Sequence, residues 1–111
     1  MRREDLVQKH CVPCEGGIDP FDADTARTYL LDLPGWELSG DAKSIRRTFK
    51  RKNFREALEL TNRIGDVAEV EGHHPDIELG WGRVAVTLTT HAIHGLSEND
   101  FILAAKVEQV A

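Results

Sequence analysis

The chain has 111 residues, 41% of them hydrophobic and 30% charged, the balance of one globular domain and not of a disordered or fibrous chain. Its longest apolar run, Phe101 to Ala105, is far below the roughly 20 residues of a membrane helix, and the acidic Glu4-Asp5 after Met1-Arg2-Arg3 gives no secretory pattern, so a cytoplasmic location is expected. Fourteen Lys and Arg against nineteen Asp and Glu leave a net charge of −5, which argues against a dedicated nucleic-acid binder.

Residues 1–20 carry Cys, Pro and paired Gly without periodicity and are expected to form an irregular arm ahead of a single domain, 21–111. Cys11 and Cys14 stand as Cys-Val-Pro-Cys. That spacing is half of a zinc site or a redox pair. Even with His10 it supplies three of the four ligands zinc wants, and no strand precedes it as in a thioredoxin-type motif. A structural or incidental role is the plainer reading. Asp22 or Asp24 can cap a first helix, in which Ala26, Tyr29, Leu30 and Leu33 recur at helical spacing up to Pro34-Gly35. A short strand follows at Trp36-Glu37-Leu38, then a turn at Ser39-Gly40-Asp41, then a strand with Ile45 and Phe49 on one face and Arg46, Thr48 and Lys50 on the other.

Six cations fall between Arg46 and Arg55. They read as a solvated strand face running into a helix start, with a phosphate-binding patch as the alternative. Asn53 to Glu71 is the longest periodic stretch. Phe54, Ala57, Leu58, Thr61, Ile64 and Ala68 make its apolar stripe, Asn53 its cap and Gly72 its terminator. A second hairpin runs through Ile77 and Leu79, turns at Gly80-Trp81-Gly82, and returns through Val84, Val86 and Leu88, with His91 ending the strand. Ser97-Glu98-Asn99-Asp100 resembles a capping box and opens a last helix, whose Phe101, Leu103, Ala104, Ala105, Val107 and Val110 turn inward. The order α-β-β-α-β-β-α predicts an α+β fold: a four-stranded antiparallel sheet with three helices packed on one face. The other face must be wet or an oligomer interface.

Four of the five histidines lie late in the chain: His73, His74, His91 and His94. If the second hairpin pairs around Trp81, its outer ends meet and bring His74 and His91 to one end of the sheet. Glu69, a helical turn before His73, and Asp100, in the first turn of the last helix, can reach the same corner. Imidazoles flanked by carboxylates suit general acid–base chemistry near neutral pH. A metal centre is the nearest competitor, but His73 and His74 point to opposite sides of an extended chain and no HExxH is present. No Gly-rich phosphate loop and no Gly-x-Ser-x-Gly nucleophile appears.

The run Glu69-Val-Glu-Gly-His73-His74-Pro75, with Trp81, His91 and Asp100 at their spacings, resembles the pattern of the pterin-4a-carbinolamine dehydratase family. The likeness extends from Leu33-Pro34-Gly35-Trp36 to Ala104-Ala105-Lys106-Val107-Glu108, and takes in Thr90-His91 and Gly95-Leu96-Ser97-Glu98. The Cys-Val-Pro-Cys-Glu-Gly-Gly arm resembles that of bacterial members. The resemblance implies removal of water from 4a-hydroxytetrahydrobiopterin to give quinonoid dihydropterin, in recycling of the cofactor of aromatic amino-acid hydroxylases. It implies no cofactor and no metal, since the pterin is the substrate. It implies His73, His74 and His91 as the catalytic set, with His74 expected to take the N5 proton. Glu69 and Asp100 are expected to orient the imidazoles, and Pro75, Thr90, Ala92 and Ile93 to line the pterin pocket. A homodimer or homotetramer is expected, with neither nucleic acid nor membrane as partner.

One departure stands out: some members carry an acid before the two histidines, where this chain has Gly72, which puts one carboxylate contact in question. His94 lies outside the pattern and reads as a rim residue. A non-catalytic binding or assembly role on the same fold, as some relatives have, is the alternative; a metal-dependent hydrolase is a third.

Overall fold

The computed structural model of the chain describes residues 2–13 and 16–111. Its elements in order are α1 (Arg3–Gln8), α2 (Ala23–Leu30), β1 (Glu37–Leu38), β2 (Ile45–Lys50), α3 (Phe54–Glu71), β3 (Asp76–Gly80), β4 (Arg83–Leu88), a 3₁₀ turn (His91–Ile93) and α4 (Glu98–Val110). The predicted α+β class is correct: four strands form one sheet in the order β1-β2-β4-β3, with every pairing antiparallel. No helix among the described residues is long and apolar enough to cross a membrane.

Alternation along the strands separates two faces. Ile45, Phe49, Val84, Val86 and Leu88 are buried on the inner face, where Arg47 also turns to meet Glu108 of α4 at 2.8 Å. Arg46, Thr48 and Lys50 lie on the outer face. There Arg46 donates to Glu78 at 2.6 Å and to Thr87 at 3.1 Å, so part of the basic segment is spent within the sheet. β3 and β4 join through Trp81-Gly82, because Gly80 pairs with Arg83 and Gly82 takes the left-handed φ of 65° that the tight turn needs.

The caps are local and follow the predicted residues. The Asp22 carboxylate accepts the Thr25 N–H at 2.8 Å, and the Asn53 side chain accepts that of Glu56 at 2.8 Å. α3 buries Ala57, Leu60, Ile64 and Ala68. Leu60 therefore replaces Leu58 in the predicted stripe, and Phe54, at the open first turn, remains 45% exposed. α4 is buried nearly all round, Asn99 to Ala105 without a break, because it packs against both α1 and α3.

Two readings are corrected. Residues 3–8 of the arm are helical and insert Leu6, 0% exposed, into the core; six residues are too few to display a period. His91 opens the 3₁₀ turn and does not end β4, which stops at Leu88.

Candidate active site

The site lies at the end of the β3–β4 hairpin away from its turn. The last ladder pair is Asp76 with Thr87, and continuing that register outward sets residues 73–75 beside 88–90. Gly72 directs the chain there. In the left-handed conformation, φ 65°, it closes α3, and the N–H groups of both Gly72 (2.9 Å) and His73 (3.3 Å) reach the Ala68 carbonyl. Glycine adopts this left-handed bend without the strain that a β-carbon would bring.

Two imidazole–carboxylate pairs result. His73 Nε2 lies 2.6 Å from Asp100 Oδ1, with the Asp100 side chain 0% and that of His73 13% exposed. The other Asp100 oxygen accepts the Thr90 hydroxyl at 2.8 Å and the Ser97 N–H at 3.0 Å, so the predicted capping-box residue also carries the imidazole. Thr90 Oγ1 is in turn 2.8 Å from Ser97 Oγ, and its N–H donates to Gly95 at 2.9 Å. Buried and fully bonded, Asp100 is a fixed acceptor that sets the His73 ring. The second pair, His74 Nε2 with the Glu69 carboxylate, is exposed on both sides.

A cavity of about 260 Å³ is lined by His73, His74, Thr89, Thr90, His91 and Ala92, together with Gly72, Val12, Pro13 and Asn99. All three predicted histidines therefore face one volume. Glu69 and Asp100 stand behind them and reach it through their imidazoles. Pro75 leads into β3 and Ile93, 8% exposed, turns into the protein; neither is on the cavity wall. His94 is exposed, with φ 55°, and also off the wall. Concavities of about 310 Å³ between α1 and α4 and about 330 Å³ beside Val70 are larger but hold no such cluster, so chemistry and not volume singles out the site.

Sequence reasoning missed Val12, Pro13, Thr89 and Asn99 as wall residues. The available signal was an amide one position before Asp100 in the first turn of α4; nothing local links it to the arm. Of the cysteine pair, Cys14 lies outside the described residues. Cys11 is half-buried, and burial together with the Glu71 and Asp100 carboxylates pushes its thiol up to about 12, the opposite of a reactive thiolate. Among the described residues, no three His, Cys, Asp or Glu side chains group as a metal centre requires.

The family model described as pterin 4 alpha carbinolamine dehydratase matches residues 19–110. The chain belongs to that family. A relative from Methylococcus capsulatus, provisionally named a pterin-4-alpha-carbinolamine dehydratase, is 50% identical over 106 residues, 96% of this chain and 93% of its own. Another with the same provisional name, from Halorhodospira halophila, is 53% identical over 103 residues, covering 93% and 94%. Among solved structures, a family member from Brucella melitensis described as a transcriptional coactivator/pterin dehydratase superposes with a TM-score of 0.78 at 31% identity, covering 84% of this chain and 99% of that one. A pterin dehydratase-like protein described as a RuBisCO assembly factor shares the fold, with a TM-score of 0.60 at 22% identity over 69% of this chain and 89% of its own.

Proposed function

We propose that the protein is a hydro-lyase that removes water from 4a-hydroxytetrahydrobiopterin to give quinonoid dihydropterin. The observation that carries this reading is the pair of imidazole–carboxylate couples, His73–Asp100 and His74–Glu69, converging with His91 on one cavity.

The reaction breaks the C4a–O bond and moves two protons. The departing hydroxyl gains one and leaves as water, and ring N5 gives one up as the C4a–N5 double bond forms. His74 is the proton acceptor for N5–H, and Glu69 behind it balances the imidazolium charge. His73 and His91 protonate or hydrogen-bond the leaving hydroxyl, with His73 held in orientation by Asp100. An imidazole exchanges protons near neutral pH, so these groups suffice without cofactor or metal. Ala92 lies on the wall where its backbone would read a pterin edge, whereas the Thr90 N–H and carbonyl are taken by Gly95 and Ile93. The role that follows is recycling of the tetrahydropterin of aromatic amino-acid hydroxylases, in the cytoplasm and as a homo-oligomer.

The test is dehydration of freshly generated 4a-hydroxytetrahydrobiopterin, followed by ultraviolet absorbance with the buffer rate subtracted and the protein stripped with a chelator. Wild type is expected to accelerate the reaction, and His74→Ala, at an exposed position, to fold normally and lose about 10²-fold or more. Near-normal turnover in His74→Ala would remove that residue from the mechanism. A folded wild type that matches buffer would instead favour the binding or assembly role.

A further inference from the structure

The segment before the family match supplies part of the wall of the histidine cavity. Its course is set by two side chains of the domain. Asn99, 5% exposed, accepts the Val12 N–H on Oδ1 at 3.0 Å and donates through Nδ2 to the Val12 carbonyl at 2.7 Å. Glu71, its side chain 3% exposed, accepts the Cys11 N–H at 2.8 Å and meets Lys106 Nζ at 3.1 Å and His10 Nδ1 at 3.0 Å. Further along, Gly16 at φ 89° passes so close to the Ala92 carbonyl that a Cβ would lie 3.3 Å from it, and the Phe21 N–H donates to Leu96 at 2.8 Å. The arm thus follows the 91–99 segment that carries His91.

This anchoring decides what the arm can offer a ligand. Both backbone polar groups of Val12 are taken up by Asn99, and Pro13 has no N–H. Apart from the Pro13 carbonyl, what these two residues offer the cavity is hydrocarbon. A pterin has a polar edge of ring nitrogens, amino group and oxo oxygen, which would be left unsatisfied against such a wall at substantial cost. Its opposite edge, C6 and C7, is saturated carbon and suits it. C6 is bonded to N5, the atom whose proton is removed, so a substituent on C6 starts one bond from the chemistry. Val12 is 66% exposed, which puts the wall at the cavity mouth.

We propose that Val12 and Pro13 form the surface against which the carbon skeleton of the C6 substituent packs, and that Asn99 and Glu71 are positioning residues for it. This rests on the dehydratase reading and adds specificity to it. Rates are compared for the 4a-carbinolamines of tetrahydrobiopterin and of 6-methyltetrahydropterin. Val12→Trp, at an exposed position, narrows the mouth and is expected to lower the kcat/KM ratio of the first substrate over the second about ten-fold. Asn99→Ala, which releases the wall, is expected to move the ratio in the same direction. A mere loss of structure lowers both rates alike and leaves the ratio unchanged; an unchanged ratio in Val12→Trp overturns the proposal.

Calorimetric binding of 7,8-dihydrobiopterin and 6-methyl-7,8-dihydropterin separates the two ideas. If wild type fails to accelerate dehydration but binds dihydrobiopterin, and Val12→Trp selectively weakens that binding, the wall stands and the dehydratase reading falls. If wild type binds neither pterin, both fall.

Discussion

At the scale of a residue, Asp100 has the most demanding position in the protein. Its two oxygens take His73 Nε2 at 2.6 Å, the Thr90 hydroxyl at 2.8 Å and the Ser97 N–H at 3.0 Å, all with the side chain 0% exposed. A carboxylate there only accepts, which obliges His73 to present a proton on Nε2. Asparagine is the same shape but has one acceptor and one donor group. The Ser97 N–H cannot accept, so the amide NH₂ must turn toward His73, whose Nε2 then has to become the acceptor. The Asp100→Asn protein is therefore expected to fold, to lose about 1–3 kcal/mol of stability, and to dehydrate the pterin about 10²-fold more slowly. Nitrogen-15 NMR of the histidines reads the cause: the proton should move from Nε2 to Nδ1 of His73. Unchanged turnover with a changed tautomer would show that His73 takes no part in proton transfer. Both halves of this pair were legible in the sequence, since the capping-box pattern places Asp100 and the spacing places His73. What was not legible is that the oxygen of Asp100 that takes the Ser97 N–H also takes the buried Thr90 hydroxyl.

At the scale of an element, what could be read depended on how local the cause is. The caps at Asp22, Asn53 and Ser97, the stop at Gly72 and the β3–β4 hairpin follow from neighbours a few residues apart. The outward extension of that hairpin is also why the histidine corner could be anticipated. Leu60, three after Ala57 and four before Ile64, keeps the helical period of the buried stripe as well as Leu58 does, so the period alone does not choose between them. The docking of the arm depends on Glu71 and Asn99, more than 50 residues away, and leaves no periodic trace. The Glu71 clamp has a measurable signature. Burial alone would raise its carboxyl, but the Cys11 N–H, His10 and Lys106 outweigh that and hold it below the ordinary carboxylate range. At Glu98 too burial would raise the carboxyl, but Lys9, bonded at 2.9 Å, and Tyr29 outweigh it and hold the group below the ordinary carboxylate range. A depressed carboxyl stabilises the fold above its unfolded pKa, about 4.3, and loses that contribution as pH falls through its folded value. Glu71→Gln, which sets an amide donor against Lys106, is expected to cost about 1–3 kcal/mol near neutral pH. In urea melts the gap from wild type should be widest near pH 7 and close as acid protonates Glu71; a gap independent of pH would deny the clamp its charge.

At the scale of the whole molecule, the two ends of the chain share one core. α1 packs on α4, Leu6 is 0% exposed there, and α4 is buried from Asn99 to Ala105 because it lies between α1 and α3. The arm is therefore expected to belong to the same cooperative unit as the sheet, although composition alone suggested an appendage. Leu6→Ala tests this. Deleting a fully enclosed leucine side chain costs about 2–5 kcal/mol, a large part of the roughly 5–15 kcal/mol that holds a domain folded. If arm and sheet unfold together, the whole of that loss appears at remote probes. Trp36 is such a probe, 5% exposed and bonded through Nε1 to Glu108 at 2.8 Å. Fluorescence of Trp36, read in a Trp81→Phe background because Trp81 is 74% exposed, and far-ultraviolet circular dichroism should give coincident urea curves, both displaced by the same amount in Leu6→Ala. Curves that separate, or a Trp36 midpoint that stays where wild type has it, would mean that α1 frays independently. The wall contributed by Val12 and Pro13 would then be an added strap and not part of the folded domain. Coincidence has the opposite consequence: the shape of the cavity mouth is tied to the global stability of the protein, so that substitutions in the core beneath α1 alter substrate preference only by unfolding the molecule.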